Sequence, residues 1–108
     1  AWREGFSGFG RIIRDMSGNV VKIVEARDAK PREFEIKECN AGFMCFNAPW
    51  LWNGLEVLGN DNAQKEYYLT DLIQIAVKNG EKITSISIDP REALGINMAK
   101  DLEWANRI

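Results

Sequence analysis

Histidine is missing from this chain of 108 residues. Because His supplies so many general bases and zinc ligands, its absence argues against His-activated nucleophiles and most zinc sites. The two cysteines, Cys39 and Cys45, fall in one predicted strand, where they cannot easily face each other to form a disulfide. We expect them to be buried thiols in a reducing cytosol. Any chemistry must therefore use carboxylates, amides, backbone groups or a hard metal.

Other absences restrict the partners. Lys and Arg number 14, Asp and Glu number 16, and the formal net charge is -2 with no basic stripe, so we expect no nucleic-acid partner. No apolar run approaches the roughly 20 residues of a membrane span, so we expect no membrane partner. The sequence contains neither a P-loop nor a GxGxxG dinucleotide fingerprint. Its length and its hydrophobic content of 45% predict one domain, or part of one, over residues 1–108.

Strand-forming patterns occur in both halves of the chain. Gly10–Asp15 and Val20–Glu25 are β-branched runs separated by Ser-Gly-Asn, a pattern typical of a hairpin. The apolar run Cys39–Phe46 predicts a strand buried on both faces, and the alternating run Lys82–Ile88 predicts another. Gly42, in the middle of the apolar run, suggests that another backbone or a ligand approaches closely.

Three helices are predicted between and after these strands. Asn47 can cap a helix that runs through Leu58, and Asn97 can cap a last helix. Between them, apolar residues at helical spacing predict a helix with one buried face, which the pair Asn79-Gly80 ends: Leu69, Leu72, Ile73, Ala76 and Val77. Asp28–Lys37 is charged and predicts a loop or a short irregular helix. The fold class is therefore α/β, with a mixed sheet covered by helices.

Polar side chains at the ends of elements are candidate ligand groups, because ligands usually bind at strand ends in α/β sheets. Glu25 ends a strand, Asn40 lies in an apolar run, and Asn97 precedes the last helix. Each has an alternative explanation. Glu25 can be a solvated strand end that pairs with Arg27, Asn40 an amide that satisfies a bulge, and Asn97 only a helix cap.

Residues 62–71, reading NAQKEYYLTD, form the most unusual segment. A helix approach needs one capping group, but this one carries two tyrosines, two carboxylates and two amides. Tyr67 and Tyr68 can be core aromatics with their hydroxyls at an edge. The surplus of hydrogen-bonding groups nevertheless indicates that the segment lines a site.

Five segments together resemble a known enzyme family. They are GFGRIIRD, VVKIVEARDA, ECNAGFMCF, NAQKEYYLTD and DPREALGIN, in that order along the chain. They are similar to sugar-1-phosphate nucleotidyltransferases, and most closely to the uridyltransferase (pyrophosphorylase) domain of the bacterial N-acetylglucosamine-1-phosphate uridyltransferases. The departures from the family pattern are Arg27 for Lys, Cys39 for Ile, Ala41 for Thr and Lys65 for Gly.

The resemblance implies a role for each site residue. The Gly10 backbone amide, the Glu25 carboxylate and the Asn40 amide would bind the sugar. Tyr68 and Thr70 would border the pocket for its N-acetyl arm. Asn97 would bind the catalytic Mg²⁺ together with an Asp from elsewhere in the enzyme.

The implied reaction is nucleotidyl transfer from UTP to N-acetylglucosamine 1-phosphate, which gives UDP-N-acetylglucosamine and pyrophosphate for peptidoglycan synthesis in the cytoplasm. The attacking phosphate oxygen is already an anion, so the reaction needs no general base and tolerates the absence of His. Two alternatives stay open. One is another sugar-1-phosphate nucleotidyltransferase, such as a glucose-1-phosphate uridylyl- or thymidylyltransferase, and the other is a non-catalytic module that binds a sugar nucleotide.

The family's glycine-rich nucleotide loop, G-x-G-T-x-M, is not in the sequence, nor is the Asp that shares the metal. The resemblance therefore implies the C-terminal part of a Rossmann-like nucleotide-diphospho-sugar transferase domain, with no catalytic residue of its own. We expect its partners to be the N-terminal half of that domain and, because a sheet edge near Cys39–Phe46 would be exposed, further copies of itself in a homo-oligomer.

Overall fold

The computed structural model describes residues 8–108. Within these residues the fold is a small α/β arrangement with a two-stranded sheet and four helices. The strands are β1 (Arg11–Arg14) and β2 (Val20–Val24); the helices are α1 (Pro31–Phe34), α2 (Ala48–Val57), α3 (Asp71–Lys78) and α4 (Ala99–Asn106). Two 3-10 turns, Ala26–Asp28 and Pro90–Ala93, complete the regular structure of this part of the chain.

The predicted hairpin is confirmed. β1 and β2 pair antiparallel, with Arg11 opposite Val24 and an irregularity in register at Arg14. At the turn, the Asp15 carboxylate accepts hydrogen bonds from the backbone amides of Asn19 and Ser17. These bonds, that of Asn19 first, lower the pKa of Asp15 because they stabilise its charged form. The side chain of a single Asp thus closes the hairpin.

The two middle helices are also confirmed, and α3 packs on β2. Leu72 is fully buried, and Ala76 and Ile23 are the other buried hydrophobic residues within the described part of the chain. A Cβ atom added to Gly54 of α2 would lie 2.8 Å from the Leu72 side chain, so the two helices touch where only glycine fits. The Asn47 side chain caps α2 by accepting a hydrogen bond from the Trp50 backbone amide at 3.1 Å.

Arg11 holds the segment after α1 against the sheet. Its side chain is almost completely buried, and its guanidinium donates to the backbone carbonyl oxygens of Ile36 and Phe34 at 3.1 and 3.3 Å. It also lies 4.5 Å from the centre of the Phe34 ring, within cation–π distance. These contacts place the Asp28–Lys37 segment, which contains the expected short helix, beside β1.

Both additional strands predicted from the sequence are wrong for the described residues. Beside β1, Ile12 N donates to Glu38 O and Asn40 N donates to Gly10 O, but Cys39 forms only an isolated bridge to Arg11. No backbone–backbone hydrogen bond within residues 8–108 involves 41–46 or 82–88. A strand persists only beside a backbone that pairs with it, and residues 8–108 present no such neighbour to these two runs.

The unpaired runs line a cleft of about 1290 Å³. We call it the open cleft; residues 37–47 and 81–88 contribute most of its lining, with apolar side chains that include Phe43, Ile83 and Ile86. Cys45 also lines it and is exposed, so the expectation of two buried thiols is wrong; Cys39 is half-buried, and both thiols are free. The radius of gyration is 14.9 Å, where a compact domain of this size has about 13 Å.

Two further sequence interpretations need correction. A Cβ atom on Gly42 would meet no atom within 4 Å, so the glycine is there for its φ of +90° and not for a close approach. The last helix begins at Ala99, and its N-cap is Met98 rather than Asn97. The amides of both residues before α4 donate to the Asp101 carboxylate, which lowers the pKa of Asp101.

Within residues 8–108, the helices are too short or too polar for any of them to cross a membrane.

Candidate functional site

A hydrogen bond joins two segments that the sequence analysis singled out separately. The Thr70 hydroxyl donates to Glu25 Oε1 at 2.7 Å, across 45 positions of the chain. Glu25 directly follows β2, and Thr70 directly precedes α3, which packs on β2. Packing of this helix on the strand therefore brings the end of one against the start of the other.

Gly10 lies against the same carboxylate. It is buried, and a Cβ atom there would lie 3.6 Å from Glu25 Oε2 and only 3.1 Å from Ile23 Cγ2. A Cβ atom at this position would therefore press on the Ile23 side chain of β2 and touch the Glu25 carboxylate. The Gly10 carbonyl oxygen accepts a hydrogen bond from the Asn40 backbone amide at 2.8 Å. The backbones of Gly10 and Asn40 are thus adjacent beside Glu25.

The Asn40 side chain faces a different way. Its Oδ1 atom accepts a hydrogen bond from the Gly42 amide at 3.1 Å, which closes a short turn. Asn40 also lines the open cleft and not the pocket at Glu25. One alternative from the sequence was that Asn40 satisfies backbone groups at a bulge. The structure is close to this alternative, because the Asn40 side chain accepts a hydrogen bond from a backbone amide of its own loop.

A pocket of about 320 Å³ lies beside Glu25. We call it the Glu25 pocket; it is lined by Gly8, Glu25, Ala26, Arg27, Glu66 and Tyr68. The Tyr68 hydroxyl oxygen is buried and has no hydrogen-bond partner within the described residues. Burial, followed by the charge of the neighbouring Asp28 carboxylate, raises the pKa of Tyr68. Tyr68 therefore lines the pocket while its hydroxyl oxygen is shielded from solvent.

The loop that carries Tyr68 is tied by the Asn62 side chain. Asn62 Nδ2 donates to Glu66 O at 2.6 Å, and Oδ1 accepts from the amides of Gln64 and Glu66 at 3.2 and 3.1 Å. Lys65 has a φ of +54°, in the left-handed region where the family pattern has Gly. Asn62 is a site residue without a role predicted from the sequence, although an Asn at the start of a polar turn is the usual signal for such a loop.

Carboxylates outnumber cations at the pocket, because Glu25 and Glu66 line it together with Arg27. Burial, and then the charges of Glu25 and Asp28, raise the pKa of Asp71. Arg27 does not pair with Glu25, as one interpretation of the sequence had it; Arg27 Nη1 donates to Gln64 Oε1 at 3.3 Å instead. The pocket thus presents carboxylate acceptors to a ligand that carries hydroxyl or amide donors.

Asn97 is not brought to this site. It is exposed and lines neither the Glu25 pocket nor the open cleft. Within residues 8–108, no three His, Cys, Asp or Glu side chains cluster in a way that could hold a metal ion. The described residues therefore do not form a complete Mg²⁺ site.

Comparison with known proteins finds bifunctional GlmU proteins among the relatives of this chain. No protein-family model matches the chain. It is 49% identical over 102 residues to the bifunctional protein GlmU of Lactobacillus delbrueckii subsp. bulgaricus, which covers 94% of this chain and 22% of the relative. The GlmU of Clostridium novyi is 46% identical over 101 residues, and that of Pelobacter propionicus is 43% identical over 106.

These matches cover nearly the whole chain, so they include both segments that meet at Glu25. The chain spans only about a fifth of the length of these curated relatives. The similarity therefore relates this chain to one portion of GlmU-type proteins.

Proposed function

We propose that the chain is the sugar-binding portion of a cytoplasmic uridylyltransferase that forms UDP-N-acetylglucosamine and pyrophosphate from UTP and N-acetylglucosamine 1-phosphate. The observation that carries this proposal is the 2.7 Å hydrogen bond between Thr70 and Glu25, which joins the two family-like segments at one pocket. The similarity to GlmU proteins over 94% of the chain supports it.

The Glu25 pocket suits a sugar. Its volume of about 320 Å³ falls at the lower end of small-molecule sites, which span about 300–1,000 Å³. Because Thr70 bonds to Oε1, it fixes the orientation of the Glu25 carboxylate and leaves Oε2 to accept bonds from sugar hydroxyls. In this proposal the buried Tyr68 hydroxyl, together with Thr70, borders the N-acetyl arm, and Gly10 allows close approach of the sugar.

The chemistry assigned to these residues is positioning. The sugar phosphate oxygen attacks the α-phosphorus of UTP, the bond to pyrophosphate breaks, and the oxygen that attacks carries no proton to remove. Holding the sugar in line can supply roughly 7–11 kcal/mol of the barrier reduction. Mg²⁺ would neutralise phosphate charge, and we propose that Asn97 gives one of its oxygen ligands, with a carboxylate from outside this chain.

The nucleotide site belongs, in this proposal, to the N-terminal half of the same domain. The open cleft supports that view because its two unpaired runs need backbone partners and its apolar lining needs cover. We propose that strands of that half occupy the cleft, and that copies of the chain associate through it when that half is absent.

The experiment is a chimera in which this chain replaces the matching 102-residue segment of the L. delbrueckii GlmU. Kinetic constants for the two substrates are measured by pyrophosphate release. We expect Glu25→Gln to raise the KM for N-acetylglucosamine 1-phosphate about 10- to 100-fold and to leave the KM for UTP unchanged, because a charge-assisted bond is worth about 1.5–3 kcal/mol.

Equal changes in both constants would show that Glu25 is not a sugar ligand. Faster turnover with glucose 1-phosphate than with the N-acetylated sugar would replace the proposed substrate and keep the reaction type. The unaltered relative, assayed in parallel, controls for the quality of the preparation.

A further inference from the structure

Two side chains tie the Tyr68 loop to the end of β2. Asp28 Oδ1 accepts a hydrogen bond from the Ala63 backbone amide at 2.8 Å, across 35 positions of the chain. Its neighbour Arg27 donates to the Gln64 side chain at 3.3 Å. Both belong to the 3-10 turn that begins directly after Glu25. The turn therefore connects the Glu25 carboxylate to the loop on the opposite side of the pocket.

Hydrogen bonds within the loop make it a rigid unit, so fixing one of its residues fixes the others. Asn62 closes residues 62–66 with three hydrogen bonds of 2.6 to 3.2 Å. Ala63 lies inside that closed unit, and Tyr68 and Thr70 follow it before α3 begins at Asp71. The hydrogen bond at Ala63 therefore restricts the positions of Tyr68 and Thr70 relative to Glu25.

We propose that Asp28 is a positioning residue for the sugar pocket: its carboxylate fastens the Asn62-closed loop to the end of β2, so that Tyr68 and Thr70 meet Glu25. This inference rests on the proposed function for the identity of the ligand. Asp28 touches no reacting atom in this account. It affects the binding of the N-acetylated sugar phosphate, because the residues that bind this sugar lie both at the end of β2 and in the segment after the loop. It does not affect the binding of UTP.

The fold supports the same assignment electrostatically. Asp28 adds negative charge beside Asp71, which is unfavourable for stability alone. Its bond to the Ala63 amide offsets part of that repulsion, because a backbone amide is the donor that a carboxylate accepts well.

The test uses the same chimera and compares three variants. Asp28→Ala is expected to raise the KM for N-acetylglucosamine 1-phosphate about tenfold, with the KM for UTP within about twofold, since one charge-assisted bond is lost. Asp28→Asn keeps an oxygen acceptor for the Ala63 amide, so its KM values for the sugar phosphate and for UTP are both expected to stay within about threefold of those of the parent. Asp15→Ala is the matched control, because Asp15 also accepts backbone amides but at the hairpin turn.

A second readout does not depend on turnover. Hydrogen exchange of the peptide that spans residues 62–68 should speed up in Asp28→Ala and stay unchanged in Asp15→Ala, because only the first releases the Ala63 amide. If this exchange is unaltered, or if both KM values rise together, the positioning role is overturned. A third outcome separates the two proposals. If the chimera forms no product while the relative does, but hydrogen exchange of residues 62–68 still speeds up in Asp28→Ala, the proposed function is contradicted and the Asp28–Ala63 bond is supported.

Discussion

The Glu25 pocket and the open cleft differ in where their backbone and polar groups find partners. At the pocket, side chains from two distant segments bond to each other: Thr70 to Glu25, and Asp28 to Ala63. At the cleft, residues 41–46 and 82–88 make no backbone–backbone hydrogen bond within the described chain. The Arg14 guanidinium does donate a hydrogen bond to the Ser85 hydroxyl, but that bond is long, at 3.3 Å. The pocket therefore forms from these residues, whereas the runs that line the cleft have no backbone partner among residues 8–108.

The largest stability effect is expected from Leu72→Ala, which breaks the packing under the pocket. Leu72 is fully buried on the helix that packs on β2 and lies against Gly54 of α2, so its truncation should cost about 2–5 kcal/mol in the free energy of unfolding. Chemical denaturation of the chimera measures this. Met16→Ala is the control, because Met16 is fully exposed, and it should change stability by less than about 0.5 kcal/mol. A Leu72→Ala cost below that level would mean that the pocket does not depend on this core.

Ile86→Lys tests whether the isolated chain associates through the open cleft. Ile86 lines the open cleft and is 89% exposed, so the isolated chain should associate through it and its neighbours. A lysine there should shift the isolated chain toward monomer in light scattering at several concentrations, because a charge opposes strand pairing. Met16→Lys, which adds the same charge outside the cleft, should leave association unchanged. Parent chain that is monomeric at high concentration would contradict the account of the cleft.

The smallest effect concerns the acidic side of the pocket. The folded pKa of Asp71 is raised, first by burial and then by Glu25 and Asp28, so the folded state binds its proton more tightly than the unfolded state does. The contribution of Asp71 to stability should therefore fall as the pH rises from about 3.9, the unfolded value, through the higher folded pKa. Asp71→Asn should remove this fall, which melting temperatures across that pH range will show. A parallel pH dependence in parent and variant would be the contrary result.

Sequence patterns predicted the locally determined elements and missed those that depend on distant partners. The hairpin and the two middle helices follow from turn residues, caps and apolar spacing within a few positions of each other, such as Asn47 bonding to the amide of Trp50. The alternation in residues 82–88 predicts a strand, but pairing requires a second backbone, which residues 8–108 do not place beside it. Local periodicity carries no information on that neighbour.

The same distinction applies to the site. The residues Gly10, Glu25, Tyr68 and Thr70 were predicted as a group, and the fold brings them together around one carboxylate. Asn40 joins them through its backbone only, and Asn97 stays apart. Asp28 and Asn62 were missed because their roles are bonds to backbone amides, and spacing in the sequence does not show which amide lies opposite a side chain.

The central claim is that this chain contributes the sugar pocket and depends on the rest of a domain for the reaction. It is tested most directly by measuring pyrophosphate release from UTP and N-acetylglucosamine 1-phosphate with three proteins side by side: the L. delbrueckii relative, the chimera and the isolated chain. The account predicts turnover by the relative and the chimera and only background for the isolated chain, which lacks the proposed nucleotide site. An inactive chimera beside an active relative, or turnover by the isolated chain, would contradict it.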